Sequence, residues 1–461
     1  VVGEVMYLAG IIDGDGEYGD ELWKTDGTQQ GTVLVKDINP GENSSSPRAF
    51  CPSGNGNEAY FFADDGVHGD ELWKTDGTEQ GTVMVKDITV GANYTHWAGT
   101  QENGDSVASG ESSAYYRGGL VLNCNFKNEA YYILDDGIHG TEIWKTDGTE
   151  EGTVLFKDIT EGDGIDYYTE GSFESSDNKC SFSGTINQPE YPILNDELYF
   201  FVCPSYFDTG WGSIWKTDGT ENGTQLVKTV GNFGNGVDST FAVAGDNLYF
   251  VAQGLDGGGW EGFELWKTDG TGNGTVMVKD IFTGSGDSNP KNFEVLGDDL
   301  YFLARSDQDD YKEAGYALWK TDGTENGTHI FKDMMGDKDG INGDQFTELR
   351  GAGNKIFFVM SYNTDYGMWT SDGTVEGTYE VTANMSTYLG SIISNYYETI
   401  TVGNLLYWPA ITDNEPWADG NNYWRTDGTV EGTYRATGKA GDGHFIPSDP
   451  APIVFKQHLY Y

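Results

Sequence analysis

Glu21-Leu22-Trp23-Lys24-Thr25-Asp26-Gly27-Thr28, followed by Gly31-Thr32 and then by Val33-Leu34-Val35-Lys36-Asp37-Ile38, is the stretch that decides the architecture. The same pattern returns around Trp73, Trp144, Trp215, Trp266, Trp319, Trp369 and Trp424, in eight copies spaced 50, 71, 71, 51, 53, 50 and 55 residues apart. In each copy the Trp is followed three residues later by Asp-Gly-Thr and then, past two variable positions, by Gly-Thr. Asp76, Asp147, Asp218, Asp269, Asp322, Asp372 and Asp427 therefore stand where Asp26 does.

Working outward, most copies are preceded by a strand ending in aromatic residues, as in Ala59-Tyr60-Phe61-Phe62, Leu198-Tyr199-Phe200-Phe201 and Leu300-Tyr301-Phe302. A shorter apolar strand stands before that one, as in Phe241-Ala242-Val243-Ala244 ahead of the turn Gly245-Asp246. Each unit thus reads as four short strands joined by Gly, Asp and Asn turns. No segment sustains a helical period. Four strands in about 50 residues, repeated, predict an all-β protein, a β-propeller of four-stranded antiparallel blades with one motif per blade and eight blades. The whole chain, residues 1–461, is read as one repeat domain.

The motif's chemistry predicts a folding role. Asp26 is placed to accept backbone N–H groups in an Asx-turn, and Gly27 supplies the positive φ of the hairpin end. Thr28 and Thr32 offer hydroxyls to loose backbone groups. Trp23 fills the space between neighbouring sheets, and the motif lysines are expected to pair with the repeat's own acids.

With these residues in hand, the chain resembles the ELWxxDGT repeat family of large secreted proteins, most closely over Ala63-Asp64-Asp65-Gly66-Val67-His68-Gly69-Asp70-Glu71-Leu72-Trp73-Lys74-Thr75-Asp76-Gly77-Thr78. The resemblance spans essentially the whole chain and implies a propeller-like extracellular protein without implying a reaction. Ser213 and Ala317 depart from the motif Glu, as do Gly367-Met368 and Asn422-Tyr423 in the last two copies, which also lose the Val-Lys-Asp tail. Val1 to Ala9 aligns with part of a first hairpin and Pro452 to Tyr461 with the start of a ninth unit. Ring closure by these strands, their donation to another subunit, or a longer native chain are three readings of those ends.

Composition excludes several functions. Asp and Glu number 74 against 26 Lys and Arg, a net charge of −48. That balance opposes nucleic-acid binding, which needs basic groups along the phosphates, and binding to anionic membranes. No apolar run is long enough for membrane insertion. Aromatic residues at 14% separate the chain from acidic disordered sequences, which are poor in them. Cys51, Cys124, Cys180 and Cys203 form no CxxC pair, which points to disulfides in a secreted protein rather than zinc. Three pairings are open, with Cys51–Cys124 and Cys180–Cys203 preferred.

No catalytic constellation emerges: Gly104-Asp105-Ser106-Val107 lacks the strand-turn-helix setting of a nucleophile elbow. The chain is therefore expected not to be an enzyme. Oxygen ligands alternate at Asp13, Asp15, Glu17 and Glu21, and again at Asp337, Asp339 and Asp344, in Gly-rich loops suited to calcium. Six sequons, at Asn43, Asn93, Asn222, Asn273, Asn326 and Asn384, are candidate sites of N-linked glycans. Two long inserts carry Tyr94, Trp97, Tyr115 and Tyr116, and Tyr167, Tyr168 and Phe173, a composition suited to contact surfaces. These features together lead to the expectation of a secreted, self-assembling structural or adhesive protein. Its copies would build an extracellular filament, a surface appendage such as a flagellar hair, or a matrix, with other surface proteins as partners. A lectin-like carbohydrate-binding propeller and, less so, a polysaccharide hydrolase are the alternatives.

Overall fold

The computed structural model describes residues 2–3, 5–10, 19–88, 120–136, 138–139, 141–159, 192–202, 212–231, 241–256, 259–306, 316–331, 346–362, 365–382, 387–388, 399–412, 422–436, 453–455 and 458–460. Among them every regular element is a β-strand. The strands assemble in chain order into antiparallel sheets, one for each motif copy. The second sheet is typical: Arg48–Pro52, Ala59–Asp64, Asp70–Thr75 and Val83–Lys86 pair with their chain neighbours in turn. Sheets two to seven each have four strands, as the repeat predicts. The first has three, Met6–Gly10, Glu21–Thr25 and Val33–Lys36. In the eighth, Thr387–Tyr388 and Ile400–Val402 both pair with Leu405–Thr412, which makes five. Ile453–Phe455 and His458–Tyr460 form a hairpin of their own.

The chain divides into two compact units, Val1–Ser176 with Ile186–Tyr191 and Thr217–Thr224, and Asp177–Thr185 with Pro192–Lys216 and Gln225–Tyr461. Within the first, the first and second sheets bury Leu22, Val35 and Ile38 against Phe61, Ala63 and Trp73. The second and third sheets bury Phe62 and Leu72 against Tyr132, Leu134 and Trp144. In the second unit, Leu265 and Val278 pack with Phe302 and Trp319, Tyr301 and Leu303 with Phe358 and Met360, and Phe357 and Val359 with Leu406 and Trp408. Successive small antiparallel sheets stacked face to face are the blades of a β-propeller. Each buried aromatic or aliphatic side chain contributes roughly 1.5–3 kcal/mol.

Two devices shape each blade. A β-bulge separates Leu22 from Trp23 and recurs at Leu72/Trp73, Ile143/Trp144, Ile214/Trp215 and Leu265/Trp266. In the first sheet Leu22 pairs with Lys36 and Trp23 with Leu34, so Val35 is the extra residue, and it turns inward to be buried. The second device is the contact between a tyrosine of one blade and the Asp-Gly-Thr turn of the next. Gly270 has φ +89°, and a Cβ there would run into the Tyr199 hydroxyl. Glycine is thus required at this position both for its backbone and for its lack of a side chain.

The motif lysines do more than pair with their own acids. Lys145 meets Glu129 at 2.9 Å, Lys216 meets Glu197 at 2.9 Å and Lys320 meets Asp299 at 2.7 Å, as expected. Others reach the next blade: Lys24 Nζ donates to Gly77 O (2.7 Å), Lys74 to Gly148 O (2.9 Å), Lys36 to Thr82 O and Lys279 to Thr328 O. Lys36, Lys228 and Lys279 also lie over the indoles of Trp73, Trp266 and Trp319. Pairing with the repeat's own acids thus accounts for some of the motif lysines, and others cross to the next blade because turn carbonyls have no strand partner and draw the ammonium across.

Candidate functional site

Three arrangements concentrate polar chemistry. The first is the Asp-Gly-Thr clip. Asp26 Oδ1 accepts from Thr28 N (2.9 Å) and Thr28 Oγ1 (2.7 Å), while Thr28 Oγ1 in turn accepts from Gly31 N (2.9 Å). Thr32 Oγ1 donates to Thr28 O and shares a hydrogen bond with Thr25 Oγ1. The same bonds recur down to the clip of Asp427, Thr429 and Thr433. Hydrogen bonds from Thr78 hold Asp76 below the usual carboxylate range, and those from Thr271 do the same for Asp269.

The second is a buried carboxylate. Glu264, the motif Glu of the fifth blade, is fully buried. Its Oε2 accepts from Ile281 N (3.0 Å) and Ser288 Oγ (2.6 Å), and its Oε1 from Phe282 N (3.3 Å) and Ser288 N (3.1 Å). Burial pushes it up to about 8, against the pull of those four donors. Glu21 repeats the arrangement with Ile38, Asn39 and Ser45, and burial raises it too. Glu71 and Glu142 accept from Ile88 N and Ile159 N in the same way.

The third is a hairpin tip found in the second and third blades. Asp65 Oδ1 accepts from Val67 N (2.9 Å) and His68 N (2.8 Å), and its Oδ2 meets His68 Nδ1 at 2.7 Å. Asp136 holds Ile138 N, His139 N and His139 Nδ1 identically. The hydrogen bond to the carboxylate raises both histidines. Burial pushes Asp65 and Asp136 up, and the hydrogen bonds they accept outweigh it and lower both. Between each locked pair stands an exposed apolar residue, Val67 at 70% and Ile138 at 65% exposure.

Cys51 and Cys124 form a disulfide between the second and third blades. Cys180 and Cys203 lie outside the described residues, as do Asp13, Asp15, Glu17, Asp337, Asp339 and Asp344. Glu21, named with the first calcium loop, has both carboxylate oxygens occupied by the backbone and Ser45. Asn222, Asn273 and Asn326 are exposed at clip tips, whereas Asn93 and Asn384 are outside the description. So are Tyr94, Trp97, Tyr115, Tyr116, Tyr167, Tyr168 and Phe173. Sequence reasoning missed Ser45 and Ser288. Their signal was a Ser two residues before a Pro, standing 24 residues after the motif Glu in both units.

No family model and no curated protein matches the chain. Among solved structures it is similar to the acylaminoacyl peptidase of Pyrococcus horikoshii, at 11% identity and a TM-score of 0.38, over 95% of this chain and 51% of that one. It is similar to oligopeptidase B of Leishmania major at 11% identity and a TM-score of 0.38, over 91% and 54%. With the β-propeller domain of the Trilobed protease of Pyrococcus furiosus, identity is 10% and the TM-score 0.32, over 86% of this chain and 98% of that domain. The chain thus spans about half the length of the first two. These comparisons correct the expectation of a filament or adhesive building block and its carbohydrate-directed alternatives. The three proteins named here are two peptidases and the propeller domain of a protease. The expectation that the chain is not an enzyme is likewise not carried forward.

Proposed function

We propose that the chain is an eight-bladed propeller module that recognises a partner polypeptide through the hairpin tips of its second and third blades. The observation that carries this reading is the pair of exposed apolar residues, Val67 and Ile138, each fixed by an identical Asp–His lock at the same repeat position. A rigid tip loses little conformational freedom on binding, so its apolar contact is converted to affinity with small entropic loss. The net charge of −48 selects a partner segment that carries basic residues beside apolar ones. The Cys51–Cys124 disulfide supports an oxidising compartment, and on the same proposal the repeat is that of the ELWxxDGT family.

The test is selection from a phage-displayed random peptide library, followed by titration of the enriched peptides. The expected result is a consensus of apolar and basic residues whose binding weakens with salt. The double variant Val67→Ser/Ile138→Ser should lose at least about tenfold in affinity, the cost of about 1.4 kcal/mol of apolar contact. Enriched peptides that bind the double variant as well as the native protein would refute the proposal, and so would the absence of enrichment.

A further inference from the structure

In the fourth, fifth and sixth blades the second variable position of the clip is Asn, giving Asn222-Gly223, Asn273-Gly274 and Asn326-Gly327. The other five copies carry Gln30, Gln80, Glu151, Glu376 and Glu431 there. An Asn followed by Gly is the dipeptide most open to intramolecular attack, because glycine places no side chain in the way. The backbone nitrogen of Gly attacks Cγ of Asn, the N–Cγ bond forms as the Cγ–Nδ2 bond breaks, and ammonia leaves with the amide proton. Water then opens the cyclic imide to isoaspartate or aspartate. No oxidant or further reactant is needed.

All three Asn side chains are exposed, so access of water to the carboxamide does not limit this reaction. The nucleophile, however, is held. Gly223 N donates to Thr220 Oγ1, Gly274 N to Thr271 Oγ1 and Gly327 N to Thr324 Oγ1, each at 2.9 Å. Asn222-Gly223 and Asn326-Gly327 also occupy the centres of β-turns closed by Thr224 N to Glu221 O (3.2 Å) and Thr328 N to Glu325 O (3.3 Å). The clip carboxylate fills the space beside the glycine: a Cβ on Gly223, Gly274 or Gly327 would overlap Asp218, Asp269 or Asp322. Attack requires the glycine amide to give up its proton, and an anion at that distance opposes a second one.

We infer that Asn222, Asn273 and Asn326 are covalent modification sites whose conversion to isoaspartate is suppressed by the closed clip and released when the clip opens. The product is one-way. Isoaspartate adds a carbon to the backbone between Thr220 Oγ1 and the Gly223 N–H that must reach it, so the clip cannot reclose with the same bonds. A blade that has opened for long enough is therefore permanently marked.

The experiment compares the full chain, made in a host without N-glycosylation, in mildly alkaline buffer with the same chain unfolded in guanidinium chloride. Isoaspartate at each site is quantified by peptide mapping, which reads a gain of about one dalton and a shifted retention. Reaction through an open state is slowed by the fraction of time that state is populated. All three sites should therefore react at least about tenfold more slowly in the native chain. Native rates within about threefold of the unfolded ones would overturn the inference. In Thr271→Val, which removes the acceptor of Gly274 N, the rate at Asn273 should rise while Asn222 and Asn326 report on the rest of the fold. A rise at Asn273 alone supports the inference, whereas an equal rise at all three overturns it in favour of opening of the whole fold. An unchanged rate at Asn273 overturns it.

Discussion

Replacing Glu264 by Gln sets two forces against each other in one side chain. Four donors converge on its two oxygens, and one of them, Ser288 Oγ, can rotate to become an acceptor. A carboxamide offers one oxygen and one NH2. If the NH2 replaces Oε2, Ile281 N is orphaned; if it replaces Oε1, both Phe282 N and Ser288 N are orphaned. The cheaper orientation leaves one buried N–H unsatisfied, at a cost of about 1–3 kcal/mol. The penalty should also depend on pH. Burial raises the native carboxyl to about 8, while in the unfolded chain it ionises near its ordinary value of 4.5. Between those values the folded state holds a proton that the unfolded state has released, so wild-type stability falls as pH rises through this window. The full difference corresponds to about 5 kcal/mol as an upper bound, since each pH unit is worth about 1.4 kcal/mol. Glutamine does not titrate. Urea unfolding followed by tryptophan fluorescence at pH values near 4.5 and near 8 should therefore show Glu264→Gln clearly less stable at the acid end. Its penalty should shrink or reverse at the alkaline end. A penalty that grows with pH would instead show that the four donors, rather than burial, decide the charge of Glu264.

Other perturbations test the remaining links. Gly270→Ala combines a φ of +89° with an overlap on the Tyr199 hydroxyl, so it should cost at least about 2 kcal/mol in urea unfolding, and Tyr199→Phe should restore part of the loss. Opening the Cys51–Cys124 disulfide releases a sequence separation of 73 residues and should lower the stability of the first unit by about 4 kcal/mol, read from the unfolding midpoint with and without reductant. His68 and His139 should titrate above 6.5 in proton NMR, and Asp65→Asn should bring His68 back down without moving His139. Because the histidines are raised and their aspartates lowered, the contribution of each lock is present between the ordinary values of 3.8 and 6.5, is lost as pH rises through the native histidine value, and is lost again as pH falls through the native aspartate value.

Much of the blade was legible because its signals are local. Trp23, Asp26 and Gly27 recur at fixed offsets, and the turn chemistry of Asp-Gly-Thr follows from side chains acting within seven residues of each other. The preferred pairing of Cys51 with Cys124 matches the disulfide of the fold. What sequence could not supply was anything set by register or by the neighbouring blade. The bulge that buries Val35 depends on how two strands slip past each other, which the Val-Lys-Asp tail does not reveal. The partners of Lys24 and Lys36 lie 53 and 46 residues away on turns that look saturated when read locally. Glu21 stood beside a run of acidic residues and suggested a metal, whereas its donors come from Ile38 and Ser45. The hairpin tips could not be singled out from sequence, since the exposure of Val67 and Ile138 is a property of the folded surface.

One motif closes the same clip in every blade, and this clip fixes the fold. Residue-resolved hydrogen exchange measures it most directly, at the glycine amides that donate within the clips: Gly31, Gly81, Gly152, Gly223, Gly274, Gly327, Gly377 and Gly432. These amides sit at exposed or half-buried hairpin ends, where exchange would otherwise be fast. All eight should be protected, with protection lost at a single site when that clip's Asp is replaced by Ala. Fast exchange at most of them, with the neighbouring strands still protected, would contradict it.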